Sequence, residues 1–241
     1  MPAPWIVVTG LDGSGKTHLV EWLASATRSK KFHLPYHDFV RACLARSGNG
    51  AQFGDIHTDR LLFALDGRLA NYQIREWRQA GLSLVSQRGW TDNFVFGAVQ
   101  GVSYEETEEL LRSYELERAS ACIHLVADPH AAFERIKDDA DHDKYETAEF
   151  LIPQYNETLR LFDEVTKRNP ILSEFHTIPA VLIDTTNKAN EDVYDEARQF
   201  LAWALPQLKV HGHRGWCEIN QHEPGAALSR CRTSQARAAL R

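Results

Sequence analysis

The sequence is poor in the features that mark membrane proteins, disulfide-rich proteins and proteins that bind duplex DNA broadly. No run of about eighteen apolar residues occurs in the 241-residue chain, so no membrane-spanning helix is expected. The four cysteines form no C-x-x-C pair, which argues against a disulfide framework and a zinc ribbon. A formal charge of −6 argues against sequence-independent binding to duplex DNA, because contacts of lysine and arginine with phosphates supply most of the affinity in such binding.

Length and composition indicate one folded domain. The N-terminal residues lack the basic segment and cleavage-site pattern of a signal peptide, so a cytoplasmic location is expected. With 43% hydrophobic residues, the chain is long enough to bury a sizeable core. We predict a domain over residues 1–209 and a flexible or loosely docked tail over residues 210–241, where the periodic pattern weakens. The histidines and cysteines of that tail fit no short structural-zinc pattern.

Short apolar runs alternate with helical patterns along the domain. Residues 5–9, 82–86, 121–126 and 180–183 are predicted to be buried strands with helical segments between them. This alternation is typical of a parallel sheet that is covered by helices on both faces. Ligands of such sheets bind beyond the carboxyl ends of the strands, where the loops converge. The expected fold class is therefore α/β.

The segment after the first strand matches the phosphate-binding pattern G-x-x-x-x-G-K-[ST]. Its glycines let backbone N–H groups turn towards phosphate oxygens, and the helix that follows adds its positive N-terminal dipole. In this pattern Lys16 reaches the β- and γ-phosphates and the Thr17 hydroxyl ligates magnesium. The residues predicted to hold ATP here are Gly10, Asp12, Gly13, Ser14, Gly15, Lys16 and Thr17.

A guanine-specific switch protein is disfavoured by a late loop. Such proteins carry N-K-x-D after a late strand, whereas residues 187–190 read NKAN. The carboxylate that would accept hydrogen bonds from guanine is therefore missing, and a phosphotransferase is favoured.

Several motifs together resemble those of the thymidylate kinase family. DGSGKT (residues 12–17) is similar to the family's D-G-x-G-K-[ST], and LLFALDGR (residues 61–68) is similar to its L-L-F-A-A-D-R helix. SQR (residues 86–88) stands in the position of its D-R-[YH]. The resemblance covers roughly residues 5–205. It implies a P-loop NTPase fold with a lid segment, and transfer of the γ-phosphoryl group of ATP, with Mg²⁺, to a deoxynucleoside monophosphate such as dTMP or a modified pyrimidine nucleotide.

The same resemblance implies an acceptor site. It places Asp12 near the acceptor sugar and phosphate and stacks Phe63 on the base. It assigns Arg88 to the acceptor phosphate, which a guanidinium can hold bidentately. Three further residues complete the predicted acceptor site: Tyr36, Asp66 and Arg68.

This acceptor site departs from the family pattern at three points. In the base-reading helix the basic residue is Arg68, one position later than in the family, and Gly67 occupies the family's position. Gln87 replaces the acid of D-R-[YH], so Asp92 or water is expected to substitute for that carboxylate near the metal. Residues 34–41 replace the family's R-E-P-G-G loop, which leaves the identity of the acceptor open.

The resemblance also implies a lid over about residues 135–148 and an adenine loop after the last strand. Basic lid residues stabilise the charge that spreads over the transferring phosphoryl group. The candidates are Arg135, Lys137 and Lys144, in a segment that is otherwise acidic. Thr185, Thr186 and Asn187 are expected to cradle adenine. The predicted catalytic set is Asp12, Lys16, Arg88, Lys137 and Lys144.

Two other functions remain open at this stage. The first is a kinase of a deoxynucleoside, or of a hydroxymethylated pyrimidine base in a nucleotide or in DNA, which the altered acceptor loop and Gln87 motivate. The second is a non-catalytic nucleotide-binding module, against which the intact Lys16 and Thr17 argue. The resemblance further implies a homodimer.

Overall fold

The computed structural model describes residues 2–48, 56–112, 116–138, 147–169, 171–172 and 177–210. Among these residues, five strands form one sheet: β1 (Trp5–Gly10), β2 (Lys30–His33), β3 (Leu84–Gln87), β4 (Ala121–Val126) and β5 (Ala180–Asp184). Their order across the sheet is β2-β3-β1-β4-β5, and all neighbouring strands run parallel. The predicted α/β class with a parallel sheet is confirmed.

Helices connect the strands throughout the described ranges. They are α1 (Lys16–Thr27), α2 (Asp38–Gly48), α3 (Ile56–Gln79), α4 (Thr91–Val99), α5 (Tyr104–Arg112), α6 (Pro129–Ile136), α7 (Ala148–Thr166) and α8 (Asn190–Ala204). None of these helices is both long and apolar enough to cross a membrane. Residues 139–146 of the predicted lid and residues 211–241 of the predicted tail lie outside the described residues.

Alternate residues of the strands face two different cores. On one face, Ile6 and Val8 of β1 pack with Leu23 of α1 and Leu201 of α8. Successive side chains of a strand point to opposite faces, so the residues between them face the other core. Burial of a Leu side chain contributes about 1.5–3 kcal/mol to the free energy of unfolding. Packing against the helices on both faces therefore stabilises the sheet.

Trp5 anchors the second core. It packs with Val7, Ile74 of α3 and Trp90, and its indole Nε1 donates a 2.9 Å hydrogen bond to Ser86 Oγ on β3. This bond satisfies the one polar atom of a fully buried ring. The second core therefore packs α3 and Trp90, the residue before α4, against this face of the sheet.

The strand predicted over residues 82–86 begins two residues later, at Leu84, and ends one residue later, at Gln87. Pairing with β1 begins at Leu84, opposite Trp5, and Leu82 is 45% exposed. Leu82 N instead donates to Trp77 O at the end of α3, which keeps it in the turn that follows that helix. An apolar run does not by itself show which of its residues belong to the strand and which belong to the preceding turn.

His124 is a buried histidine in β4 that the sequence analysis left without a role. Its Nε2 lies 3.3 Å from Cys122 Sγ, and its ring meets Phe162 edge to face at a centroid distance of 5.7 Å. Burial lowers the pKa of His124 to about 4. The His124 ring is therefore neutral in the native protein at neutral pH.

We expect this histidine to make the protein sensitive to acid. Because the native pKa of His124 lies below the ordinary value of 6.5, the unfolded state binds the proton first as the pH falls. The free energy of unfolding should fall between pH 6.5 and pH 4, by up to roughly 3 kcal/mol from this residue. Urea denaturation across this pH range measures the slope, and His124→Gln should reduce it. Burial also lowers the pKa of His33 to about 4, so that residue should keep part of the slope in the variant.

The exposed His18 of α1 offers a matched control, since His18→Gln makes the same chemical change at the surface. We expect that variant to keep the slope of the wild type. If His124→Gln and the wild type lose stability in parallel below pH 6.5, another buried group causes the acid sensitivity.

Candidate active site

The P-loop, residues 10–17, is a tight turn between β1 and α1. Gly13 and Gly15 have φ angles of +76° and +89°, in the left-handed region that suits glycine. A Cβ on Gly13 would lie 2.3 Å from the Ala132 carbonyl oxygen, whereas a Cβ on Gly15 would meet nothing within 4 Å. Within the described residues, the buried Ser14 hydroxyl has no hydrogen-bond partner. This open polar turn at a helix N-terminus fits phosphate oxygens.

Asp12 joins two cations at the mouth of the P-loop. Its Oδ1 accepts a 2.7 Å hydrogen bond from Lys16 Nζ, and Arg88 Nη2 lies 3.1 and 3.2 Å from its two oxygens. Lys16 Nζ also donates to the carbonyl oxygens of Gly10 and Leu11, at 2.9 and 2.8 Å. The carboxylate thus links a cation of the P-loop to a cation from the end of β3.

Burial and charge act in opposite directions in this group. Burial alone would raise the pKa of Asp12, but the charges of Arg88 and Lys16, with their hydrogen bonds, hold that pKa well below its usual range. For Lys16, burial lowers the pKa, and the charge of Asp12 opposes the change. Asp12 therefore stays ionised at neutral pH and preserves the arrangement of the two cations.

Arg88 is held in a backbone conformation that residues other than glycine rarely adopt. Its φ is +69°, and its N–H donates a 2.8 Å hydrogen bond to Val8 O on β1. Such a conformation costs on the order of 1–3 kcal/mol and persists where the surroundings enforce it, often at functional sites. The guanidinium carbon lies 5.0 Å from the centre of the Phe96 ring. Strand pairing and this ring fix the cation beside Asp12.

Two oxygens beside the P-loop fit a hard cation. Thr17 Oγ1 donates a 3.2 Å hydrogen bond to Gln87 Oε1, so a hydroxyl and an amide oxygen lie together at this point. Asp92, the predicted substitute for the missing acid, is turned elsewhere: its oxygens accept from Thr9 Oγ1 at 2.6 Å and Gly89 N at 2.7 Å. Burial raises the pKa of Asp92, against the charge of Arg88. Asp92 therefore braces the turn after β3.

A cleft opens beside Arg88 between α3, α4 and α5. Phe63 of α3 and Phe96 of α4 lie near parallel in it, with ring centroids 6.4 Å apart. Aromatic walls with a cation at one end suit a flat ligand that carries a phosphate. Other residues that line the cleft are Leu34, Pro35, Arg60, Asp66, Trp90, Asn93, Gly97 and Thr107.

Comparison with known proteins assigns the chain to a family, although no family model matches it. A probable thymidylate kinase from Pyrobaculum calidifontis is 30% identical over 155 residues, which cover 61% of this chain and 76% of that protein. The chain belongs to the thymidylate kinase family. The structure of thymidylate kinase from Candida albicans, at 18% identity, has the same fold with a TM-score of 0.65, over 83% of this chain and 91% of that one.

On the acceptor side, this thymidylate kinase-family chain brings some of the predicted residues together. Asp12, Phe63, Asp66 and Arg88 lie around the cleft or at its edge. Arg68 is half-buried and is not among the described residues that line the cleft. The roles of all of these residues towards a substrate stay predictions.

Asp66 has a structural task in this member of the thymidylate kinase family. Its carboxylate accepts hydrogen bonds from Tyr36 N at 2.7 Å and His37 N at 2.8 Å, and its Oδ1 lies 2.9 Å from His37 Nδ1. Tyr36 turns its ring towards Phe32 and Trp77. Asp66 thus holds the loop between β2 and α2 against α3, and it positions that loop at the cleft.

On the donor side, Arg135 of α6 connects the P-loop to the loop after β5. Its guanidinium donates to Gly13 O at 3.0 Å and to the carbonyl oxygens of Thr185 and Thr186 at 2.9 and 3.0 Å. Thr185 Oγ1 adds a 3.0 Å bond to Ser14 O. Asn187 is exposed in this loop. The predicted adenine loop and the P-loop are therefore held together as one surface.

The catalytic roles of the two lid lysines stay predictions. Lys137 is exposed at the end of α6 and pairs with Glu134 at 2.6 Å. Lys144 lies outside the described residues.

Sequence reasoning missed several cleft residues, among them Arg60, Asn93 and Gly97. Arg60 precedes Phe63 by one helical turn, and Asn93 and Gly97 lie on α4 after Arg88. The available signal was helical spacing, since residues three and four apart share a helix face and Phe63 was already assigned to the cleft.

Proposed function

We propose that this chain transfers the γ-phosphoryl group of ATP to a deoxynucleoside monophosphate, with dTMP as the preferred acceptor. The observation that carries the proposal is the position of Asp12, which is bonded to Lys16 of the P-loop and to Arg88 of the cleft. Donor phosphates at the P-loop and an acceptor phosphate at Arg88 would thus meet beside one carboxylate. Membership of the thymidylate kinase family supports the same reaction.

Each residue of this group has a distinct part in the proposed reaction. Lys16 and the backbone N–H groups of residues 13–17 would hold the phosphates of ATP and offset charge on the transferring group. Thr17 Oγ1 and Gln87 Oε1 would hold Mg²⁺, which prefers oxygen ligands. Bound magnesium would neutralise part of the phosphate charge. Arg88 would orient the acceptor phosphate, and Asp12 would hold the two cations in place beside each other.

The alternative acceptors are less well supported. Attack by a nucleoside hydroxyl calls for a carboxylate base, whereas Gln87 stands at the end of β3 and both oxygens of Asp92 are occupied by Thr9 and Gly89. Asp12 is a poor base, because the charges of Arg88 and Lys16 hold its pKa well below the usual range. Attack by a phosphate oxygen needs no strong base. A non-catalytic module would have no need of Lys16 and Arg88 on one shared carboxylate.

An acceptor panel tests the proposal. Purified protein with ATP and Mg²⁺ should form ADP when dTMP is added, and more slowly or not at all with thymidine or with DNA that contains hydroxymethylcytosine. A coupled assay of ADP release measures the rate. Turnover with thymidine in place of dTMP, or with none of the acceptors, would contradict the proposal.

A cytoplasmic site of action stays a prediction.

We also propose a homodimer that forms through α3. Leu61, Leu65, Leu69 and Tyr72 recur every three or four residues on this helix and are exposed by 36–59%. At 100° per residue this stripe lies opposite the face that carries Phe63 to the cleft. An apolar stripe of this length on one helix is typical of an interface. A second copy of the chain would cover it and leave both clefts open.

Sedimentation velocity tests the dimer. The wild type should sediment as a dimer, and Leu65→Glu should yield monomers, because it places a charge in the centre of the stripe. Ile152→Glu makes the same change at an exposed apolar residue of α7 and should leave the dimer intact. A monomeric wild type at micromolar concentration would overturn the proposal.

A further inference from the structure

Phe150 is an aromatic residue in the first turn of α7 to which the sequence motifs assign no task. Its ring lies near parallel to that of Phe96 on α4, with ring centroids 5.9 Å apart and an angle of 28° between the planes. Phe96 in turn lies near parallel to Phe63 at 6.4 Å, and the Arg88 guanidinium lies over the Phe96 ring at 5.0 Å. Ring contacts therefore run from the cleft through Phe96 to α7.

Phe150 stands behind the wall of the cleft. Phe96 lines the cleft, whereas the half-buried Phe150 is not among the described residues that line it. Gln154 and Thr158 follow Phe150 at intervals of four residues, and both are buried with Val95 of α4 around one small internal space. The face of α7 that carries Phe150 is thus the face that packs against α4. A ligand in the cleft would touch Phe96, and Phe150 would act on that ligand only through Phe96.

The turn of α7 that carries Phe150 is anchored to the donor side. The next residue, Leu151, is fully buried and packs with Leu11 of the P-loop and with Ile136 at the end of α6. Successive residues of an α-helix point about 100° apart, so these two neighbours can reach different partners. The backbone N–H groups of both residues donate to Thr147 O, at 3.0 and 2.9 Å. A ring on such an anchored turn is well placed to hold another ring in position.

We propose that Phe150 is a positioning residue for the acceptor, which fixes the Phe96 ring and, through it, the aromatic wall and the Arg88 guanidinium of the cleft. Near-parallel aromatic pairs gain stability beyond the area that they bury, so Phe150 favours one orientation of Phe96. A binding site keeps its geometry when the residues behind it restrict the rotamers of those in front. This inference rests on the proposed function, because it concerns the same acceptor cleft.

The test is a double-mutant cycle on the KM for dTMP, with Phe150→Ala, Phe96→Leu and the variant that combines them. Phe150→Ala should raise this KM by about 3-fold to 10-fold, because the ring pair is lost and Phe96 is no longer fixed. The KM for ATP should not change. In the Phe96→Leu background, Phe150→Ala should alter the KM for dTMP by less than about 2-fold, since no ring is left to position. Phe150→Tyr retains the ring and should keep the wild-type KM.

Phe162 provides the matched control on the same helix, because its ring meets His124 of β4. Phe162→Leu should lower the melting temperature and leave the KM for dTMP unchanged. Phe150→Leu makes the same change behind the cleft, and it should raise this KM because it largely preserves apolar volume but not the ring. Circular dichroism checks the fold of each variant, and if Phe150→Ala does not fold, the cycle with Phe150→Leu decides.

The outcomes separate this inference from the proposed function. If the wild type phosphorylates dTMP and the effects of Phe150→Ala and Phe96→Leu on the KM simply multiply, Phe150 does not act through Phe96 and the inference is wrong. An equal rise in the KM for ATP, or a Phe150→Leu protein that melts earlier with an unchanged KM for dTMP, overturns it as well. In each of these cases the proposed function stands. If the wild type accepts no deoxynucleoside monophosphate, both fail.

Discussion

Lys16→Ala should lower turnover by a factor on the order of 10² to 10³ and leave a folded protein. The Lys16 ammonium is the group that the P-loop would present to the β- and γ-phosphates, and its removal takes away one clamp on the charge that develops during transfer. Its ammonium donates hydrogen bonds to the carbonyl oxygens of Gly10 and Leu11 and to the carboxylate of Asp12. Asp12 keeps Arg88 as a partner, so one ionic contact of the carboxylate survives.

The measurement is the rate of ADP formation at saturating ATP and dTMP, with circular dichroism as the check on folding. Lys31→Ala is the matched control, because Lys31 is an exposed lysine that pairs with Glu21 on the surface. We expect that variant to turn over at the wild-type rate. A Lys16→Ala protein with near-normal turnover would falsify the assignment of residues 10–17 as the donor site.

The donor site was predictable because its signal is local. A strand, a glycine turn, Lys16-Thr17 and a helix follow one another within about twenty residues, and each has one structural reading in that order. The sheet was predictable for a related reason, since a strand that is buried on both faces reads as a short apolar run. Leu82 marks the limit of that rule, because the run includes residues that remain in the turn.

The acceptor site was less predictable because its residues meet only in the folded chain. The sequence favoured Phe63, and the structure brings that ring to the cleft opposite Phe96. The sequence could not indicate that the Asp66 carboxylate would accept hydrogen bonds from the backbone N–H groups of residues 36 and 37, since these partners lie about thirty residues away.

Gly67 and Arg60 illustrate the same limit. A helical glycine in place of an expected basic residue gives no hint that the Trp90 ring fills the space above it. Arg60 stands outside the aligned motif. Helical spacing places it on the face of Phe63, but the packing of α3 against α4 and α5 makes that face a wall of the cleft. Contacts between side chains that are distant in sequence decide both features.

Phe63→Ala should weaken acceptor binding by roughly tenfold to a hundredfold. Stacking of a base on an aromatic side chain is worth roughly 1–3 kcal/mol by alanine substitution, and Phe63 is half-buried with its ring facing the cleft near Phe96. Phe63→Leu largely preserves apolar volume, so it should keep most of the stability and still lose most of the stacking. Both variants should bind ATP normally. Equilibrium titration with dTMP, together with the melting temperature of each variant, measures the two effects separately.

Phe200 of α8 provides the matched control, because it is buried in the core on the other face of the sheet. Phe200→Leu should lower the melting temperature and leave the affinity for dTMP unchanged. The comparison therefore distinguishes a ring that stacks on the acceptor from one that only fills space. If Phe63→Leu binds and turns over dTMP as well as the wild type, and Phe63→Ala merely melts at a lower temperature, then Phe63 belongs to the core. The base would in that case stack elsewhere in the cleft, and Phe96 would be the next ring to replace.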